Sequence, residues 1–145
     1  MIRFDRILVP VDFSPHSRRA VDLAVGLAKT FSATIHLLHA YHLSAALTAP
    51  DPMVLPAAFW EDVRDSAARK LEKTAELVTR EGVTVESHLS SDPPSAAIER
   101  AARELSADLI VMGTRGLTGL KHILLGSVAE RTVRTAPCPV LTVRD

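Results

Sequence analysis

Five short strand-like runs, four of them apolar and the third alternating, each separated from the next by a stretch of helical spacing, constrain this chain more than any other feature. The runs are Ile7-Leu-Val-Pro-Val11, Thr34 to Ala40, Val83 to Leu89, Asp108-Leu-Ile-Val-Met112 and Val140-Leu-Thr-Val143. They are short and rich in β-branched residues, as buried strands are. Between the first two, Ser14-Pro15 places a capping residue before a proline at the first helical position. Ala20, Leu23, Ala24, Leu27, Ala28 and Phe31 then recur on one helical face. Phe59, Val63, Ala67, Leu71, Ala75 and Val78 mark a second helix that stops at Gly82. Asp92-Pro93 opens a third, with Ile98, Ala101, Ala102 and Leu105 inward, and Gly126-Ser127 leads a fourth to about Thr135. Alternation of this kind with short connections dictates an α/β fold: a five-stranded parallel sheet with helices on both faces.

A chain of 145 residues fits one domain, 1–145, with no internal repeat and a core large enough to need no covalent staple. The single cysteine, Cys138, excludes a disulfide framework and reads as a small packed residue between two prolines. Lys plus Arg and Asp plus Glu each total 17, and so balanced a charge disfavours coating of nucleic acid. No apolar run approaches the roughly 18 residues of a membrane span, and the start lacks a signal-peptide layout. The expected location is cytoplasmic, with neither nucleic acid nor membrane as partner.

In open α/β sheets, ligands sit beyond the carboxyl ends of the strands where the winding direction reverses. Two such ends carry unusual residues here. Asp12 follows the first strand, and Gly113-Thr-Arg-Gly116 follows the fourth. Gly113, Gly116, Gly119 and Gly126 are four of the six glycines in the chain. Glycine lets backbone amides approach an anion, and a helix starting at Gly126-Ser127 adds unbonded N–H groups and a positive dipole end. Phosphate binding is one reading; the other is that the glycines make turns and Ser127 is a cap, since Ser127-Val-Ala-Glu130 matches a capping box. Arg115 and Lys121 are phosphate contacts or solvated charges, with Arg115 better placed inside the first amide turn. The loop is neither a Walker P-loop nor a dinucleotide fingerprint.

Gly113-x2-Gly116-x9-Gly126-Ser127 resembles the nucleotide-binding signature of the universal stress protein family, in its ATP-binding branch. Ile7-Leu-Val-Pro-Val-Asp-Phe-Ser14, Leu37-Leu-His-Ala40 and Ala136-Pro-Cys-Pro-Val-Leu141 are similar to that family too, so nearly the whole chain is covered. The resemblance implies a Rossmann-like three-layer sandwich of the adenine nucleotide alpha hydrolase kind. It implies that the Pro10-Val11 backbone lines the pocket, that Asp12 lies near ribose and phosphates, and that Ala40 meets adenine through its main chain. Met112 and Gly113 would flank the nucleoside; Arg115, Gly116, Gly126, Ser127, Val128 and Ala129 would hold phosphates. The implied ligand is ATP with Mg²⁺, the metal reaching Asp12 only through the nucleotide. A homodimer paired through the edge strand Val140 to Val143 is also implied. Where the family often has glycine, this chain has Asp92, which is expected to cap its helix ahead of Pro93-Pro94.

The expected function is a nucleotide-dependent stress-response sensor or regulator acting through conformational change. Beyond Asp12 no residue has an evident general-base role, so any ATP hydrolysis is expected to be weak. The alternatives are a nucleotide-free dimeric interaction module with a vestigial pocket, and a weak ATPase or phosphotransferase. His36 and His39 point to opposite faces of a strand and cannot share an ion, and His39 reads as structural. His16, His88 and His122 are isolated in sequence and are expected to join no ligand set. Tyr41 to Ala58 is the longest loop, either a lid or an unstructured connection, with Trp60 packing beneath it.

Overall fold

In the computed structural model, residues 1–42, 56–115 and 125–144 are described. The strands are β1 (Arg6–Pro10), β2 (Thr34–Ala40), β3 (Val85–Ser90), β4 (Leu109–Gly113) and β5 (Val140–Val143). The helices between them are α1 (Pro15–Phe31), α2 (Ala57–Arg80), α3 (Pro94–Glu104) and α4 (Ser127–Thr135). The sheet order is β3-β2-β1-β4-β5, with every neighbouring pair parallel. The expected five-stranded α/β sheet is therefore present. The chain winds outward from β1 to β3, then returns across β1 to β4, so the winding reverses between β1 and β4.

The central strands are buried on both faces, which explains why they read as unbroken apolar runs. Ile7, Val9, Ile35, Leu37 and Val111 pack with Ala20, Val21, Ala24, Val25 and Ala28 of α1 and with Leu71 and Val78 of α2. On the opposite face, Leu8, Leu38, Ile110 and Met112 pack with Ala97, Ile98 and Ala102 of α3 and with Ala129 of α4. Each fully buried Ile or Leu contributes on the order of 1.5–3 kcal/mol relative to exposure.

The local signals are mostly as expected. Ser14 caps α1 by accepting the Ser17 N–H at 3.2 Å, and Pro15 stands at its start. Gly82, with φ +80°, follows the end of α2, where a left-handed turn stops the helix. One expectation fails on α1. Leu23 is 40% exposed, because the small-residue line Ala20-Ala24-Ala28 lies closest to the sheet and the buried stripe leans toward Val21 and Val25. Helix α2 begins at Ala57, inside the expected loop. The rest of that loop, 43–55, lies outside the described residues, and Trp60 meets Phe59 edge-on at 5.8 Å. Cys138 packs against the α3/α4-side core. Burial, reinforced by the Asp108 charge, pushes its thiol pKa up. No helix among the described residues is long and apolar enough to cross a membrane.

Candidate functional site

A cavity of about 130 Å³ opens at the carboxyl ends of β1 and β4, where the winding reverses. Of the residues selected from sequence, Pro10, Val11, Asp12, Ala40, Met112, Gly113, Arg115 and Val128 line it. Gly126 lies just beyond, its N–H donating to the Thr114 carbonyl at 2.6 Å. Ser127 is exposed at the start of α4, whereas Ala129 is turned into the core. Gly116, Gly119, Lys121 and His122 lie outside the described residues.

The β1 end of the cavity is held by a chain of short bonds. The Val11 N–H donates to the Leu38 carbonyl at 2.8 Å. The Val11 carbonyl lies 2.7 Å from His39 Nδ1. A carbonyl only accepts, so this contact assigns the proton to Nδ1. His39 is thus structural, as expected, and its ring lies 4.5 Å from that of Phe13. Asp12 Oδ1 accepts the Ser14 N–H at 3.0 Å, an Asx turn that carries the chain from β1 into α1. Between them Phe13 is held at φ 64°, a left-handed conformation that costs a non-glycine residue roughly 1–2 kcal/mol. Strain of this kind, held by surrounding contacts, is characteristic of binding sites.

The two described glycines of the signature are explained by close approach rather than by backbone angle. A Cβ on Gly113 would stand 2.9 Å from His16 Cβ and 3.0 Å from the His16 carbonyl carbon, so α1 itself requires a glycine there. A Cβ on Gly126 would stand 3.0 Å from the Thr114 carbonyl oxygen. Helix α4 does not begin with the capping box that is the alternative reading of Ser127-Val-Ala-Glu130. Gly126, not Ser127, is its N-cap, no side chain among the described residues caps it, and Glu130 instead pairs with Arg134 at 2.6 Å. The N–H groups of Ser127, Val128 and Ala129 therefore precede the first intrahelical bond, from the Glu130 N–H to the Gly126 carbonyl at 2.9 Å.

Asp92 does not cap α3. The N-cap is Pro93, held extended by the proline that follows, and the Asp92 carboxylate pairs with Arg100 at 2.8 Å. Asp92 lines a separate recess with Arg100 and Glu104, outside the β1/β4 cavity. Sequence reasoning missed Ser17, Leu38, Pro94 and Ile98, which also line the cavity. Ser17 carried a signal, since it sits one turn from its cap, and its Oγ accepts the Asp12 N–H at 3.3 Å. Leu38 and Ile98 are indistinguishable in sequence from core residues.

The histidine expectation is corrected at a different place. His88 is not isolated: its Nε2 lies 3.1 Å from His36 Nδ1, and Glu86 Oε2 lies 3.5 Å from the same nitrogen. Burial pushes the His36 pKa below the usual histidine value; Glu86 opposes that shift, and the charges of His88 and Arg6 add to it.

With this geometry in place, comparison with known proteins gives one consistent result. Residues 3–144 match the sequence profile of the universal stress protein family. The chain belongs to that family. It is 36% identical over 143 residues to universal stress protein MJ0531 of Methanocaldococcus jannaschii, covering 97% of this chain and 82% of the relative. It superposes on the universal stress protein UspA of Lactobacillus plantarum with a TM-score of 0.85 at 27% identity, covering 99% of this chain and all of the other. A universal stress protein solved in complex with cAMP matches with a TM-score of 0.69 at 26% identity, over 99% of this chain and 98% of the other. In this universal stress protein the cavity, the uncapped start of α4 and Arg115 lie at one end of the sheet.

Proposed function

We propose that this chain is a single universal stress protein domain, 1–145, that binds an adenine nucleotide, ATP with Mg²⁺, in the β1/β4 cavity and acts through a binding-coupled conformational change. The observation that carries the reading is the convergence of an apolar cavity and an uncapped helix start at the point where the winding reverses. The cAMP complex of a similar protein supports the ligand class.

The cavity volume supports enclosure of part of the ligand rather than the whole. At about 130 Å³ it is well under the roughly 300–1,000 Å³ of a pocket that swallows a whole ligand. On this reading the base and part of the sugar enter the cavity, against Leu38, Ala40, Ile98 and Met112 of its lining. The phosphates extend outward to Arg115 and the N–H groups of Ser127, Val128 and Ala129, where the helix dipole favours anions. Asp12 faces the sugar. Mg²⁺ usually takes one or two carboxylates together with substrate phosphates and water. Asp12, a single carboxylate at the cavity wall, fits that role, and the metal would offset phosphate charge there.

Arg115 is the residue to remove first. A charged hydrogen bond is worth about 1.5–3 kcal/mol, so Arg115→Ala should weaken ATP binding by roughly tenfold or more. Calorimetric titration of nucleotide-stripped protein with ATP and Mg²⁺, then with AMP and cAMP, measures this. One site per chain, weakened in the variant, supports the reading. A folded protein that gives no heat at two temperatures overturns it and leaves an interaction module with a vestigial pocket. Sustained turnover lost in Asp12→Ala would make the protein an enzyme instead.

A further inference from the structure

A second cluster of reactive side chains lies on β2 and the edge strand β3, outside the lining of the cavity. His36 pairs directly with Glu86 in the β2/β3 register, and His88 stands two residues further along β3. Alternation puts Glu86 and His88 on one face of β3, and the pairing brings His36 to the same face. One ligand atom from each of the three lies within 4.8 Å of the others.

Three observations together point to a cation. First, His36 Nδ1 has His88 Nε2 at 3.1 Å and Glu86 Oε2 at 3.5 Å. A proton on Nδ1 would serve both neighbours only through a three-centre bond with a long arm to Glu86, whereas a cation satisfies the lone pairs of all three groups at once. Second, these two spacings bracket that of a coordination sphere, and the third donor pair lies within 4.8 Å. Ligand bonds of about 2.0–2.1 Å in a tetrahedral site place neighbouring donor atoms about 3.3 Å apart. Third, the set combines order with freedom. The His36 side chain is only 6% exposed and fixed on β2, whereas the Glu86 side chain is 59% exposed and can swing to close the remaining edge. Arg6 is the opposing charge on this face, and its Nε–H is engaged by the Ser106 carbonyl at 3.1 Å.

We propose that His36, Glu86 and His88 bind one divalent transition-metal ion, Zn²⁺ by the chemistry of the donors, with its fourth position open to water. Two imidazoles and a carboxylate suit Zn²⁺ in tetrahedral geometry, and an all-oxygen site for Mg²⁺ or Ca²⁺ would lack the nitrogens. The ion would join the edge strand β3 to β2 through side chains as well as through the backbone ladder. The inference does not rest on the nucleotide reading, because none of the three residues lines the β1/β4 cavity.

The test uses the full chain, free of affinity tag and nucleotide, with Co²⁺ as an optical probe and Zn²⁺ as competitor. One Co²⁺ per chain with the strong visible bands of a tetrahedral site, displaced by Zn²⁺, is expected. His88→Ala and Glu86→Gln should each weaken binding by more than about tenfold, the lower end of what losing even an outer-shell partner costs. Saturating Zn²⁺ at a hundredfold excess over Kd should raise Tm by roughly 5–10 °C, and His88→Ala should abolish that rise. Glu86→Gln is the safeguard on folding, since its side chain is mostly exposed. Tetrahedral bands that never form at millimolar Co²⁺, or that persist undiminished in both variants, overturn the proposal.

Discussion

Replacing Gly113 by alanine separates two meanings of a glycine in a ligand-binding signature. If the residue is there to admit a phosphate, alanine should spare stability and harm binding. The geometry predicts the reverse order of effects. The new Cβ would lie 2.9 Å from His16 Cβ, 3.0 Å from its carbonyl carbon and 3.1 Å from its carbonyl oxygen. Two of those three atoms are backbone of α1, within its first turn, so they cannot rotate away. Relief requires α1 to lift from β4, and overpacking of that kind costs about 1–3 kcal/mol. For a domain of this size that is a Tm drop of roughly 3–10 °C. Urea denaturation of ligand-free, metal-free protein checks it: the midpoint should fall with the slope unchanged. Gly82→Ala is the matched control, because nothing lies within 4 Å of its added Cβ and only the φ of +80° is strained. It should cost about 1–2 kcal/mol through backbone angle alone. A Gly113→Ala protein with an unshifted midpoint and abolished nucleotide binding would refute the steric argument.

Two further outcomes follow from the sheet's far edge and its flank. Burial and Asp108 raise the Cys138 pKa, so thiolate is scarce in the fold until the pH passes that raised value. Iodoacetamide at pH 8 should therefore modify the native chain more slowly than the urea-unfolded chain, and equal rates would contradict the burial argument. On β5, the Pro139 and Val143 carbonyls accept from Ile110 and Thr114, so residues of that parity face β4. Val140 and Thr142 therefore direct their N–H groups outward, along an edge that a second copy can pair with. Thr142→Pro removes one outward donor without touching the β4 ladder. Light scattering should show a dimer that shifts toward monomer in this variant; a wild-type chain of monomer mass would refute pairing through β5.

The fold was legible because each level of the sequence agreed with the next. Ser14-Pro15 starts a helix by local chemistry alone, and Ile7-Leu-Val and Leu109-Ile-Val read as fully covered strands without any knowledge of neighbours. The cavity was legible because the winding rule converts strand order into a location, and Asp12 and Gly113 stand at that location. What failed were details set by one residue of offset. Ser127-Val-Ala-Glu130 has the composition of a capping box, yet the close approach of Gly126 to the Thr114 carbonyl moves the helix start back by one residue, and the box cannot form. At Asp92 the tandem prolines shift the start forward, and the carboxylate turns to Arg100.

The His36, Glu86 and His88 cluster was illegible for a different reason. Spacing along one strand identifies which residues share a face, so Glu86 and His88 were a readable pair. Their meeting with His36 depends on the register of β2 against β3, and that register sets His36 against Glu86 across fifty residues of chain. A slip of one residue would turn His36 to the other face and scatter the three groups. Register is decided by burial across the whole strand pair: Ile35 and Leu37 must enter the α1/α2 core while Leu38 enters the other. The cluster is thus a consequence of core packing rather than of any local motif. That makes its test sharp, because a core that sets the register also presets the donor atoms. Metal binding should then leave the far-ultraviolet dichroism of the chain unchanged while raising its Tm, and a large gain of secondary structure on adding Zn²⁺ would contradict a preformed site.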